Sequence, residues 1–211
     1  MKQLTTSLLA AFCLLSTSIL AQHIDIDKKA LSFLASEETL NIQIDFNGVV
    51  IDNNVSESDF LVKMHKKIVN HRDQAEADQW AKDYVEFKNE IWPATFIEVL
   101  NNKLKDYKNA PQFIENNTDA NYLLKVKIPW MYYGYDAGIV NEPAKVTMLL
   151  EFSKSDAPNE PLFTTEISRA MGKYNKTDGD GEGVGPSLNR MRKAITTAAY
   201  KLAKALKRVV D

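Results

Sequence analysis

Thiol and imidazole groups are scarce in this sequence. It contains one cysteine, Cys13, and three histidines in 211 residues. Cys13 lies in a leading segment that we expect to be removed, so disulfides and cysteine-ligated metal sites are excluded from the rest of the chain. That remainder, about 190 residues, is long enough to bury an ordinary hydrophobic core and needs no covalent cross-link to fold.

The sequence also lacks an apolar run long enough to span a membrane. Its most apolar stretch, Leu8–Leu15, is followed by polar residues and falls short of the roughly 20 residues that a membrane helix needs. Lys2 precedes this stretch and Ala21 follows it, which is the layout of a secretory signal peptide. We therefore expect residues 1–21 to be a cleaved signal peptide and residues 22–211 to form a single domain of an exported, periplasmic or secreted protein.

A lipid anchor is the alternative to simple cleavage. A lipid-modified Cys13 would become the mature N-terminus. The bulky Phe12 before it and the apolar residues after it favour cleavage near Ala21 instead. N-terminal sequencing of the exported protein distinguishes the two outcomes.

Signatures of common enzyme classes are missing as well. The sequence has no Gly-x-Ser-x-Gly elbow, no Walker loop and no His-Glu-x-x-His motif. His65 and His71 are six positions apart on a predicted helix, which places them on different sides and favours surface histidines over metal ligands. The formal charge of −2, which becomes −3 when Lys2 is lost, gives no reason to expect nucleic acid as a partner.

Hydrophobic periodicity predicts the secondary structure. Alternation with period two indicates strands over about 40–46, 122–130, 146–152 and 163–167. Apolar spacings of three and four indicate helices over about 57–71, 77–91, 93–107 and 186–209. This order predicts an α+β domain: an antiparallel sheet of about four strands, with three to four helices packed on one face and the other face open.

Two local signals define helix starts in this scheme. Ser56 followed by Asp59 matches a capping box, so the first helix should begin at about Glu57. Pro93 predicts a break in the chain and the first turn of the next helix, because proline lacks the N–H that a helix interior needs.

The central part of the chain resembles a known group of proteins. The segment Tyr122-Leu-Leu-Lys-Val-Lys and the later stretch 134–144, Gly-Tyr-Asp-Ala-Gly-Ile-Val-Asn-Glu-Pro-Ala, are similar to secreted proteins common in Bacteroidetes. The resemblance extends more loosely to the early strand and the closing helix. It implies export, the same fold and a bend between two strands at the Gly-Ile-x-x-x-Pro-Ala stretch, but no activity is established for that family.

Aromatic residues crowd the point where the predicted strand 122–130 runs into a loop. Trp130 and Tyr132 continue the inward alternation of that strand, so we expect them to complete the core. Tyr133 and Tyr135 are then the better candidates for ligand binding, because exposed aromatic rings stack on sugars and peptides.

A glycine-rich loop is the one candidate metal site in the sequence. Asp178, Asp180 and Glu182 bring three carboxylates close together, which are ligands that suit calcium. The EF-hand register fails, however, because Asn189 stands where a bidentate glutamate belongs. A solvated acidic turn is therefore the preferred interpretation, weak calcium binding the alternative, and no other cofactor is expected.

The closing helix separates apolar from basic residues. Its predicted inward stripe is Leu188, Met191, Ile195, Ala199, Leu202, Leu206 and Val209. Its predicted solvent side carries Arg190, Lys193, Lys201, Lys204 and Arg208. A solvated outer face explains these cations, and the alternative is peripheral contact of 190–208 with anionic lipid or an acidic partner.

Two functions fit these observations. The preferred hypothesis is a non-catalytic exported protein that binds a partner or small ligand through the open sheet face or the aromatic strand end. The alternative is a carboxylate-dependent hydrolase, such as a glycosidase, which requires two carboxyl groups on opposite sides of the scissile bond. No sequence motif selects such a pair.

Overall fold

The structure is a computed structural model that describes residues 24–136, 141–173 and 184–211; the predicted signal peptide, residues 1–21, lies outside them. The helices are α1 (Glu57–His71), α2 (Gln74–Glu86), α3 (Trp92–Leu104) and α4 (Leu188–Val210). The strands are β1 (Thr39–Asp45), β2 (Val50–Ile51), β3 (Val55–Ser56), β4 (Gln112–Glu115), β5 (Tyr122–Tyr132), β6 (Tyr135–Asp136), β7 (Asn141–Glu142), β8 (Lys145–Lys154) and β9 (Pro161–Met171). A 3-10 turn, Ser32–Ala35, precedes β1.

Seven of the described strands form one mixed sheet around β5. On one side of β5, β8 pairs antiparallel with it and β9 pairs antiparallel with β8. On the other side β1 and β2 pair with β5 one after the other, both parallel to it, and β4 lies outside β1, also parallel. β3 pairs with β2, and β6 with β7 forms a separate ribbon. The helices α1 to α3 supply the crossover that parallel pairing of β1 and β4 requires.

The predicted α+β class fits this architecture, but the sheet is larger than expected and partly parallel. The run β5–β8–β9 is antiparallel, as predicted. The antiparallel pairing expected for the first predicted strand is wrong, because β1 pairs parallel with β5, with Asn41 opposite Leu123. Three helices lie between these two strands in the chain, and no local pattern indicates in which direction such distant strands pair. β4 lies between the predicted helix 93–107 and the predicted strand 122–130. No strand is predicted there, because four residues are too few for alternation to be recognised.

The helix starts combine a confirmed prediction with a wrong one. Ser56 Oγ accepts the N–H of Asp59 at 3.1 Å and donates to its carboxylate at 2.6 Å, as the capping box predicts. The predicted break before Pro93 does not occur, because a π-helical turn, Phe87–Ile91, joins α2 to α3. Pro93 nevertheless lies in the first turn of α3, as predicted. This wider turn accommodates the missing N–H of proline within a continuous helical rod.

The helices cover one face of the sheet. Along β5 and β8, buried residues alternate with half-buried ones. The buried residues, such as Val126 and Leu150, join the core together with Phe96 and Leu202 from the helices. The other side, which we call the open face, presents Lys125, Lys127, Trp130 and Tyr132 from β5 and Lys145, Thr147, Leu149 and Glu151 from β8.

Helix α4 packs its apolar side against this core, as predicted. Leu202 is 0% and Leu206 is 1% exposed. The stripe ends on Val210 rather than on Val209, which is only partly buried. Arg190 was wrongly placed on the solvent side, since it is 4% exposed.

Two tryptophans hold the start of α4 in place. The indole N–H of Trp80 donates to the carbonyl of Pro186 at 3.2 Å, and that of Trp92 donates to the carbonyl of Leu188 at 3.3 Å. Gly185 passes so close to Trp80 that an added Cβ would lie 2.7 Å from its indole nitrogen.

Among the described helices, none has the combined length and apolar character needed to cross a membrane.

Candidate functional site

The open face has an aromatic end, formed by Trp130 and Tyr132 with the charged residues around them. Neither ring belongs to the hydrophobic core, and both are partly exposed. Their ring planes lie within 9° of parallel, with centroids 6.2 Å apart. The expectation that Trp130 and Tyr132 complete the core is therefore wrong.

A bulge in β5 is the physical reason. Lys127 pairs with Leu149, whereas Trp130 pairs with Thr147, so two residues of β5 stand opposite one residue of β8. Pro129 lies in the extra pair and has no N–H to donate to the neighbouring strand. A bulge of this kind inverts the alternation beyond it, and Trp130 therefore points to the side opposite to the one that simple alternation predicts.

The same bulge exchanges the roles of the neighbouring tyrosines. Tyr133, expected to be a ligand-binding residue, is 4% exposed and stacks on Phe60 with centroids 5.2 Å apart. Its ring is therefore part of the core and is withdrawn as a candidate. Tyr135 is 46% exposed and begins β6 three residues after Tyr132, so it stays at the edge of the aromatic end.

Trp130 is held from two sides. Its indole N–H donates to the carbonyl of Asp52 at 2.9 Å, and the guanidinium carbon of Arg169 lies 5.2 Å from the centre of its ring. Asp52 and Arg169 both have left-handed backbone conformations, with φ of 55° and 43°. Aspartate and asparagine tolerate this conformation, but it is unfavourable for arginine.

Arg169 lies on a second bulge. Val146 pairs with Ala170 but Met148 pairs with Ile167, so two residues of β9 stand opposite Thr147. The backbone N–H of Arg169 donates to the Thr147 hydroxyl at 3.1 Å. The two bulges lie on either side of β8 and bring Trp130 and Arg169 together from separate strands.

A hydrogen-bonded ion pair completes the aromatic end. The Tyr132 hydroxyl donates to Glu142 at 2.7 Å, and the ammonium of Lys145 contacts the same carboxylate and lies 5.2 Å from the centre of the Tyr132 ring. Burial, followed by the contact with Glu142, raises the pKa of Tyr132. Contacts from Lys145 and then Tyr132 lower the pKa of Glu142.

The opposite end of the open face is polar. Near the middle of the open face, the ammonium of Lys127 forms an ion pair with the carboxylate of Glu151 at 2.8 Å. Beyond this pair lies a shallow depression of about 350 Å³, which is lined by Gln43, Ile44, Asp45, Glu115, Asn116 and Lys125. This depression gathers two carboxylates, which is the residue type that the hydrolase hypothesis requires.

A second polar cluster lies under the helices. The Glu57 carboxylate accepts the Tyr84 hydroxyl at 2.8 Å and the Lys88 ammonium at 2.6 Å. Burial raises the pKa of Tyr84 and Tyr133 well above the ordinary value, and the Glu57 charge adds to both shifts. Arg190 donates to the Tyr133 carbonyl at 3.4 Å. These groups join α1, α2 and α4; Tyr84, Tyr133 and Arg190 are buried, and the Glu57–Lys88 pair is partly buried.

The predicted calcium ligands Asp178, Asp180 and Glu182 lie outside the described residues. Within the described ranges, no group of three or more metal-ligating side chains is found.

The two histidines of α1 lie apart from each other. His65 is paired with Asp78 at 3.0 Å, and this contact lowers the pKa of Asp78. His71 is exposed at the end of α1, apart from that pair.

Sequence inspection missed Arg169, Asp52 and Glu142 as members of the aromatic end. Nothing in their local sequence distinguishes them from other surface residues. The one usable signal was Pro129, because proline inside a strand pattern indicates an edge or a bulge and therefore a change of face.

Comparisons with family models, with curated proteins and with solved structures find no match to this chain.

Proposed function

We propose that this chain is an exported, non-catalytic protein that binds a small ligand or a partner through the aromatic end of the open face. The observation that carries the proposal is the pair of parallel, partly exposed rings of Trp130 and Tyr132 on the open face, neither of which belongs to the hydrophobic core. Large aromatic side chains outside a core, fixed by specific contacts, are typical of binding surfaces.

The arrangement is rigid before any ligand arrives. Trp130 is fixed by Asp52 and Arg169, and Tyr132 by Glu142. A surface that is ordered in advance loses less conformational entropy when it binds. Because neither ring packs in the core, both are available to contact a ligand.

The three tryptophans provide an internal test. In a ¹⁵N-labelled sample, the indole N–H of Trp130 reports on the open face, while those of Trp80 and Trp92 report on the helical layer. A panel of short saccharides and peptides is titrated into the protein, and we expect a ligand that shifts the Trp130 signal alone. Trp130→Ala is expected to abolish that binding while leaving the unfolding midpoint nearly unchanged.

Two results would overturn the proposal. One is a ligand that shifts Trp80 and Trp92 but not Trp130. The other is a ligand whose affinity is the same for the parent and for Trp130→Ala. Export is tested separately, by N-terminal sequencing of the protein recovered from the periplasm or medium.

The hydrolase alternative rests on the depression that Asp45 and Glu115 share at the other end of the open face. It requires hydrolysis of a glycoside that is lost in both Asp45→Asn and Glu115→Gln, because one carboxyl serves as acid and the other as base or nucleophile. Activity that survives either substitution excludes this pair.

A further inference from the structure

We infer that the aromatic end recognises an acidic saccharide, and that Arg169 is the residue that reads its carboxylate. This inference rests on the proposed function, since it names the ligand class of the same surface. It starts from Arg169, whose guanidinium is held against the Trp130 ring 5.2 Å from its centre.

No carboxylate neutralises Arg169 within the described ranges. The other cation of the aromatic end, Lys145, is paired with Glu142, and Lys127 further along is paired with Glu151. No ion pair is formed by Arg169 with any described acid; its contacts there are the Trp130 ring and, through its backbone, Thr147. An exposed guanidinium fixed in this way presents its N–H groups to an incoming anion, and its planar fork matches a carboxylate.

The backbone gives an independent reason to assign Arg169 a role. At φ of 43° in a bulge, position 169 favours glycine, which has no Cβ to clash. Arginine is unfavourable in this conformation, but from this position its side chain extends across β8 to the Trp130 ring on β5. Such conformations concentrate at functional sites.

The surroundings favour a sugar over a peptide. At Trp130 and Thr147, β5 and β8 are hydrogen-bonded to strands on both sides, so neither offers a free edge to an added peptide strand. β9, which carries Arg169, pairs only with β8 among the described strands, but its bulge at 168–169 interrupts the regular edge that an added strand needs. The two parallel rings are bordered by hydroxyl and carboxylate groups of Thr147, Tyr132 and Glu142. A sugar ring that stacks on the aromatic side chains places its hydroxyls next to these groups, and an acidic sugar adds a carboxylate for Arg169.

The test uses the full exported protein and two forms of one probe, tetragalacturonate and its fully methyl-esterified form, measured by calorimetry and Trp130 indole shifts. A hyaluronate tetrasaccharide serves as a second acidic probe. We expect an acidic probe to bind at least about tenfold more tightly than the neutral ester, as a charge-assisted contact provides.

Variants of Arg169 test the contribution of its charge separately from that of the aromatic rings. Arg169→Asn removes the charge with a residue that tolerates the left-handed conformation, and it is expected to abolish the preference for the acid. Arg169→Lys, which keeps the charge but loses the fork, is expected to retain part of it. Arg192→Gln removes the same charge from an exposed position on α4 and is expected to change nothing.

The failures are distinguishable. Equal binding of acid and ester, or an unchanged preference in Arg169→Asn, overturns the role of Arg169 and leaves the aromatic site standing. If tetraglutamate shifts the Trp130 signal and none of the three saccharide probes does, the ligand is an acidic peptide and the saccharide inference is wrong. If none of these probes nor the wider saccharide and peptide panel moves the Trp130 signal, both the inference and the proposed function are wrong.

Discussion

The two faces of the sheet use the same residue types for different purposes. On the covered face, Trp92, Tyr133 and Phe60 pack against one another and against aliphatic residues of the helices. On the open face, Trp130 and Tyr132 contact charged side chains and a backbone carbonyl instead. Burial of apolar area stabilises the first set, whereas the second set gains little from burial and is held by directional contacts.

The largest expected effects lie on the covered face. Leu202→Ala or Leu206→Ala removes fully buried methyl groups beneath α4 and leaves a cavity, so each is expected to cost about 2–5 kcal/mol of unfolding free energy. Lys204→Ala, on the exposed side of the same helix, is the control and is expected to cost under about 0.5 kcal/mol. Denaturant melts measure all three. Leucine variants as stable as the parent would mean that α4 does not dock on the sheet.

The α4 comparison also tests the membrane alternative for 190–208. If this helix works on a membrane surface, Lys204→Ala weakens sedimentation with anionic vesicles at low salt, and the leucine substitutions leave the unfolding midpoint unchanged. The buried stripe on α4 predicts the reverse order of effects.

A smaller loss is expected from the polar cluster under the helices. Glu57→Leu leaves the Tyr84 hydroxyl and the Lys88 ammonium without their half-buried acceptor, and we expect it to cost about 1–3 kcal/mol. The matched control is Glu76→Leu, because Glu76 is only weakly paired, with Arg72 at 3.8 Å on the surface. Its pair contributes under about 1 kcal/mol. Equal losses in the two variants would contradict a special role for Glu57.

Alkaline pH is expected to lower the free energy of unfolding through two tyrosines buried on the covered face. Burial raises the pKa of Tyr84 and Tyr133 above the value of about 10 that an unfolded tyrosine has. Above pH 10 the unfolded chain therefore releases protons that the folded chain keeps. The stabilisation is complete below pH 10 and decreases as the pH rises towards the folded pKa. Unfolding midpoints between pH 8 and 11.5 measure this, and Tyr133→Phe is expected to reduce the slope. A slope that Tyr133→Phe leaves unchanged would contradict the assignment to Tyr133.

The smallest effects on stability are expected on the open face. Trp130→Ala removes no core contact, and Arg169→Gly exchanges a cation–π contact for relief of the left-handed backbone. Each is expected to change the unfolding free energy by no more than about 1 kcal/mol. Thermal or denaturant melts check this, with Leu202→Ala as the reference for a core residue. A loss as large as that of Leu202→Ala would mean that the open face is part of the folding core.

The sequence predicted those elements whose signals are local. The capping box at Ser56, the apolar stripe of α4 and the antiparallel run β5–β8–β9 all depend on neighbours within a few residues or on short connections, and all three are confirmed. The first turn predicted at Pro93 is confirmed, but the predicted break before it is wrong, because a π-helical turn has no recognised sequence pattern.

The candidate site was located only in part. The crowding of aromatic residues near Trp130 and Tyr135 was visible as composition, and the structure places exposed rings there. Which rings are exposed was predicted the wrong way round, with Tyr133 outside and Tyr132 inside. A register shift of one residue moves every later side chain to the other face, and the sequence contains no measure of register except the hint from Pro129.

By itself, then, the sequence determined the alternation of helices and strands, the apolar side of α4 and the lack of thiol chemistry after residue 21, because each follows from residue type and short-range spacing. The tertiary structure alone decided the parallel pairing of β1 with β5, the burial of Arg190 and the meeting of Trp130 with Arg169. The reason is the same in all three cases. These contacts join segments far apart in the chain, and their geometry depends on strand register and bulges that no local pattern specifies.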